Sequence, residues 1–231
     1  MRLMELTKLE LSKLLMNKRN LWTSIIIVLF WTILVIPGAL TVQEGLMDYL
    51  TNSVFFMATA VGMFICFIYS GTLFLNEKQQ KTIETLLSSP LTLKEIWLSK
   101  TFAATVPAVL ASWLCALIIF SVASIARGLV VPTLELLVYL LILAPTILLS
   151  VIGILGYLQF LLGMKENRLI SMLLFVGLFA ALGMMDTVAS QENVVKWTTI
   201  AGLIMGATLL LVLTLYCTRF LDKERIITTL D

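Results

Sequence analysis

Side chains able to do chemistry are scarce in this chain, and their scarcity removes whole classes of function. Among 231 residues there is no histidine. This excludes histidine-ligated haem, histidine-containing zinc sites, Ser–His dyads and histidine proton relays. The three cysteines, Cys66, Cys115 and Cys217, are odd in number and far from any CxxC spacing. They read as packing residues, with neither a disulfide framework nor a metal site indicated. There is no G-x-x-x-x-G-K-[ST] loop to cradle phosphates, so ATP, if used, binds another chain. With no HExxH motif and no Asp pair inside an apolar stretch, the common routes of intramembrane proteolysis are closed, and no catalytic residue is assigned.

The segment whose residues suggest a mechanical role runs from Glu77 to Lys100. Ile83, Leu86 and Leu87 fall at i, i+3 and i+4, which predicts a two-turn helix with one apolar stripe and Glu84 beside it. Pro90 stops that helix. Thr92 and Glu95 have capping-box spacing and restart a second one. Two short helices joined by a proline turn, attached at both ends to apolar helices, form a lever that something outside the membrane could push.

The elements that hold this lever are set by composition. The chain is 60% hydrophobic and 13% charged, with mean hydropathy +1.02, whereas soluble domains average about 45–50% apolar and ~25% charged. Six charge-free windows run 20–43, 49–76, 101–126, 136–164, 169–185 and 197–218. Each meets the ~17–25 residues needed to cross the hydrocarbon core. The fold class is therefore all-α: a polytopic membrane protein of six transmembrane helices, forming a single domain over 1–231. The 20-residue lead and long first apolar stretch argue for a retained span and against a cleaved signal peptide.

Charge placement fixes the expected topology. Alternate polar segments hold 14 and 2 of the 16 basic residues. By the positive-inside rule both termini and the 77–100 segment face the cytoplasm. Residues 1–19 mix leucines with Arg2, Lys8, Lys13, Lys18 and Arg19, the pattern of an amphipathic helix lying in the headgroup plane. Thr7 and Glu10 have capping-box spacing. The third span carries small residues at Ala104, Ala108, Ser112 and Ala116, a stripe that lets another backbone approach. Pro107 is expected to kink it, and Pro145 to tilt or break the fourth span. Gly202-xxx-Gly206 in the sixth is a further small-residue contact. Phe56, Thr59 and Met63 of the second span, with Met172, Phe175 and Phe179 of the fifth, could line an adaptable apolar path.

Glu77-x4-Thr82-x3-Leu86-Leu87-x2-Pro90, with Ile96 and Lys100 beyond, resembles the signature of type 2 ABC exporter permeases. The motif covers about 24 residues, and the plan of a basic N-terminal helix followed by six spans covers the whole chain. The family usually has Gly before the Thr, where this sequence has Lys81.

The resemblance implies a half-transporter that pairs with an identical or related permease. That dimer docks on two copies of an ATP-binding subunit, which hold ATP and Mg; no cofactor is expected on this chain. It makes Thr82–Ser89 the coupling helix and Lys165-Glu166-Asn167-Arg168 a second, smaller contact. The implied location is the cytoplasmic membrane, with the bilayer and the ATPase as partners and no nucleic acid. A secondary carrier or channel is the alternative from another class. The charge-free windows weigh against it, because ion-coupled carriers usually keep ionisable groups within the membrane. Within the ABC class, a haem-exporter-B-like subunit of cytochrome c maturation is the other reading. Cargo is not legible.

Overall fold

The computed structural model describes residues 2–41, 45–80, 91–128, 130–162 and 195–220, with positions 166, 169, 172, 173, 176, 177 and 180 between. Its elements are α1 (Arg2–Met16), α2 (Lys18–Thr41), α3 (Leu46–Ser70), α4 (Leu93–Arg127), α5 (Ala144–Leu161) and α6 (Trp197–Cys217). A π turn over Gly71–Leu75 and a last turn over Asn76–Gln79 prolong α3. Leu134–Val138 and a second π turn over Tyr139–Leu143 lead into α5. Among the described residues there is no strand.

Among the described residues, five helical stretches are long and apolar enough to cross a membrane: Lys18–Thr41, Leu46–Gln79, Leu93–Arg127, Leu134–Leu161 and Trp197–Phe220. The expected fifth span, 169–185, lies mostly outside the described residues. Those of its positions that are described, such as Leu169, Met172 and Val176, are helical and exposed.

Helix α3 is the centre of the bundle. Of its most apolar window 67% is buried, against 22% for α2 and 17% for α6. Its most extensive partner is α4, whose stripe Ala104, Ala108, Ser112 and Ala116 is buried along its length. Small side chains there allow close backbone approach, the main source of cohesion where lipid removes any hydrophobic drive between helices. Helix α5 packs against the same core through two close approaches. A Cβ on Gly62 would stand 2.7 Å from Leu148, and one on Gly156 would stand 2.6 Å from the Phe74 ring. Only a missing side chain fits at either place.

Most polar groups inside the bundle are matched, the buried Ser112 Oγ being an exception. Ser70 Oγ donates to Gln159 Oε1 at 2.9 Å, Tyr139 OH to Phe55 O at 2.9 Å, and Trp97 Nε1 to Gly153 O at 3.2 Å. A polar atom unsatisfied in hydrocarbon costs several kcal/mol, so such bonds pin α3, α4 and α5 in one register.

The prolines act differently from one another. Pro107 lies inside α4 without ending it. Pro145 follows the π turn Tyr139–Leu143 directly. The wider turn accommodates a residue with no N–H to give and a ring that crowds the preceding turn.

Candidate functional site: a buried ion cluster beneath the lever

Helix α1 forms from a leucine-rich run with no breaker until Asn17, and one of its faces packs on α4. That face carries Leu3, Leu6, Thr7, Glu10, Leu11 and Leu14, with Glu10 and Leu14 each only 1% exposed. A carboxylate therefore sits in the middle of a packed apolar face.

Its partner comes from α4, two turns into the helix that Thr92 initiates. Thr92 Oγ1 accepts from the Glu95 amide at 3.3 Å, while Thr92 N donates to Glu95 Oε2 at 2.9 Å. This is the capping box expected from the sequence. It fixes the start of α4 and hence the direction of Lys100, which is fully buried.

Lys100 Nζ donates to Glu77 Oε2 at 2.6 Å, to Glu10 Oε1 at 3.2 Å and to Leu73 O at 3.1 Å. Three acceptors match the three protons of an ammonium. Leu73 belongs to the π turn of α3, so the irregular backbone there presents the third acceptor. Lys13, 59% exposed, lies 3.4 Å from Glu10 and 3.6 Å from Glu77. Two carboxylates and two ammoniums thus alternate in sign, and the cluster is neutral as a whole.

The neighbouring Lys78 turns the other way. Its Nζ donates to Leu162 O at 2.5 Å and Phe160 O at 3.3 Å, at the C-terminal end of α5. Helix C-termini leave carbonyls unpaired and carry partial negative charge, so a buried cation is well placed there. Successive residues on a helix point ~100° apart. Glu77 and Lys78 therefore tie the end of α3 to α1 and α4 on one side and to α5 on the other.

Residue 81 lies two positions after the last turn of α3, and residue 163 follows the Leu162 carbonyl held by Lys78. The ion cluster itself is shared by α1, α3 and α4, and Lys78 adds the end of α5. Burial makes the cluster stiff: removing one partner of a buried pair costs ~3–5 kcal/mol because the other charge is left in low dielectric.

The sequence expectations fare unevenly here. Glu77 is central to the cluster. Thr82, Ile83, Glu84, Leu86, Leu87 and Pro90 lie outside the described residues, as do Lys165, Asn167 and Arg168; Glu166 is helical and exposed. The capping box expected at Thr7–Glu10 is not formed. Helix α1 already runs from Arg2, Thr7 Oγ1 donates to Leu3 O at 2.9 Å, and the Glu10 carboxylate is taken by Lys100 and Lys13. A tertiary ion pair outcompetes a local cap.

Of the apolar path residues, Thr59 and Met63 are buried, Phe56 is half-buried and Met172 exposed, while Phe175 and Phe179 are outside the described residues. Thr59 Oγ1 stands 2.5 Å from Tyr139 OH, within the packed core. Gly202 and Gly206 are exposed, and a Cβ on either would meet no atom within 4 Å. Their expected close contact is not made within the chain among the described residues. Sequence reasoning gives Glu10 only as a helix cap and Lys13 only as part of a basic face, and it assigns no role to Lys78. For Glu10 a signal existed: it sits at helical spacing from Leu3, Leu6 and Leu14 on the face that is buried.

The described residues form helices of membrane-crossing length with a buried ion cluster where α1, α3 and α4 meet, the build of a multi-pass membrane protein. The family described as "ABC-2 family transporter protein" matches residues 11–220, and the chain belongs to it as an ABC transporter permease. No curated protein and no solved structure matches the chain.

Proposed function

We propose that the chain is the membrane-spanning half of an ATP-driven exporter. It pairs with an identical or related permease in the cytoplasmic membrane and works with two copies of a separate ATP-binding subunit that holds ATP and Mg. Both termini face the cytoplasm, as the 14-to-2 distribution of basic residues requires. The 77–100 segment is the ATPase contact: Thr82–Ser89 forms the coupling helix, with Ile83, Leu86 and Leu87 toward the ATPase and Pro90 ending it. Lys165–Arg168 makes the smaller second contact.

The observation that carries this reading is the buried junction of Lys100, Glu77 and Glu10 at the base of that segment. A loop serving only as a tether has no need of a fully buried lysine shared by two carboxylates from two other helices. A loop that must deliver force does. ATPase closure and opening would shift the permease between inward- and outward-facing states, each state favoured by the contacts the ATPase makes with it.

The test is composition. Affinity purification of the tagged permease from its host membrane into nanodiscs, followed by native mass spectrometry, should give two permease chains with two nucleotide-binding chains. A monomer without any nucleotide-binding partner would overturn the proposal.

A further inference from the structure

A groove runs along the outside of the bundle between α2 and α4, floored by α3. It holds about 280 Å³. Its walls are apolar, with Ile25 and Leu29 from α2 facing Leu110, Ala111 and Leu114 from α4. Its hydroxyl groups, Ser24 and Tyr69, lie 3.1 Å apart and are spent on each other. The groove therefore offers nothing to a polar ligand along its length.

Its dimensions restrict the occupant. The lining runs ~12 Å along α2, from Leu21 to Leu29, and ~17 Å along α4, from Pro107 to Ile118. Half of the hydrocarbon core is ~15 Å deep. A volume of about 280 Å³ over that length suits one slender hydrocarbon chain, whereas a helix ~10 Å across could only lie over the groove.

One end of the groove is charged. Leu15 and Leu21 line it, and between them lies the corner where Asn17 separates α1 from α2. Lys18 and Arg19 stand exposed at that corner, and among the described residues neither forms an ion pair. The sequence has no acidic residue between Glu10 and Glu44. An apolar slot as deep as one leaflet, opening at two unneutralised cations, has the complementarity of a phospholipid with an anionic headgroup.

We infer that this groove is a binding site for one acyl chain of an anionic phospholipid whose phosphate is held by Lys18 and Arg19. Hydrocarbon already surrounds the protein, so the slot gains no hydrophobic drive over bulk lipid; selectivity resides in the headgroup. Two basic side chains at a membrane surface correspond to a preference on the order of tenfold. Assignment to the inner leaflet rests on the orientation proposed above. Binding itself does not, so the two ideas fail separately.

The test uses the whole protein in nanodiscs with photoactivatable phosphatidylglycerol or phosphatidylcholine, each carrying a diazirine midway along one acyl chain. Adducts are mapped by mass spectrometry. Phosphatidylglycerol should label the stretches around Ile25–Leu29 and Leu110–Leu114, about tenfold more than phosphatidylcholine. Lys18→Gln with Arg19→Gln should abolish that preference. Ala111→Phe, which fills the slot, should remove labelling by both lipids. Should that variant fail to fold, Leu114→Trp at the exposed rim serves the same purpose. Equal labelling by the two lipids, or adducts confined to other helices, would each overturn the site.

Discussion

Lys100 Nζ lies 2.6 Å from Glu77 Oε2. The two residues flank the 81–90 segment, one at the end of α3 and the other near the start of α4. The connection between the second and third spans is therefore closed at its base by an ion pair, itself locked to α1 through Glu10.

The cluster is expected to respond asymmetrically to substitution. Lys100→Met leaves Glu10 and Glu77 facing each other without their shared cation and should cost ~3–5 kcal/mol of stability. Adding Glu10→Gln and Glu77→Gln to the same chain should restore much of that loss, since an uncharged buried set needs no counter-ion. Unfolding in mixed detergent micelles across the single, double and triple variants measures the coupling. Additive losses would show that the three side chains do not act as a unit.

Lys78 should matter to α5 more than to α3. Lys78→Met removes two charge-assisted bonds to Phe160 and Leu162 carbonyls, each worth ~1.5–3 kcal/mol. Hydrogen exchange should then quicken in the last turn of α5, around 158–162, with little change in the middle of the helix. Unchanged exchange there would mean that the cation does not hold the helix end.

What was legible in the sequence divides by range. Five of the six apolar windows and the Thr92–Glu95 cap are local properties of composition and spacing that the structure contains, while the window 169–185 lies mostly outside the described residues. Glu10 was misread because Thr-x-x-Glu is a local pattern, whereas its competitor Lys100 lies 90 residues away. The π turn at Gly71–Leu75 had no proline to announce it. Lys78 stood at the edge of an apolar window, where a charged residue is ordinarily solvated, and nothing nearby in sequence pointed to carbonyls on α5.

Glycine positions separate packing within the chain from packing between chains. Gly156→Ala forces a methyl against the Phe74 ring and Gly62→Ala one against Leu148, and each should destabilise the protomer by ~1–3 kcal/mol. Gly202→Ala and Gly206→Ala meet nothing among the described residues and should leave protomer unfolding unchanged. If a second permease packs on α6, the latter pair should still shift the monomer–dimer balance, read by native mass spectrometry.

Topology can be tested by labelling from outside. In a background lacking Cys66, Cys115 and Cys217, Glu44→Cys and Ser190→Cys should react with an impermeant thiol reagent in intact cells. Lys81→Cys should react only after permeabilisation. The reverse pattern would place the lever on the wrong side for an ATPase.

The most direct test of the coupling role uses Leu86→Asp and Leu87→Asp. Each places a charge on the apolar stripe where a buried leucine could contribute ~1.5–3 kcal/mol to a partner groove. Both positions lie outside every charge-free window, so insertion and pairing of the permease should persist. The measurement is the ratio of nucleotide-binding subunit to permease in purified complexes, with membrane level and permease dimer recorded in the same preparation. Coupling through this segment predicts that the ratio falls steeply in both variants at unchanged membrane level. A wild-type ratio in both would contradict it and leave the segment as a membrane-surface tether.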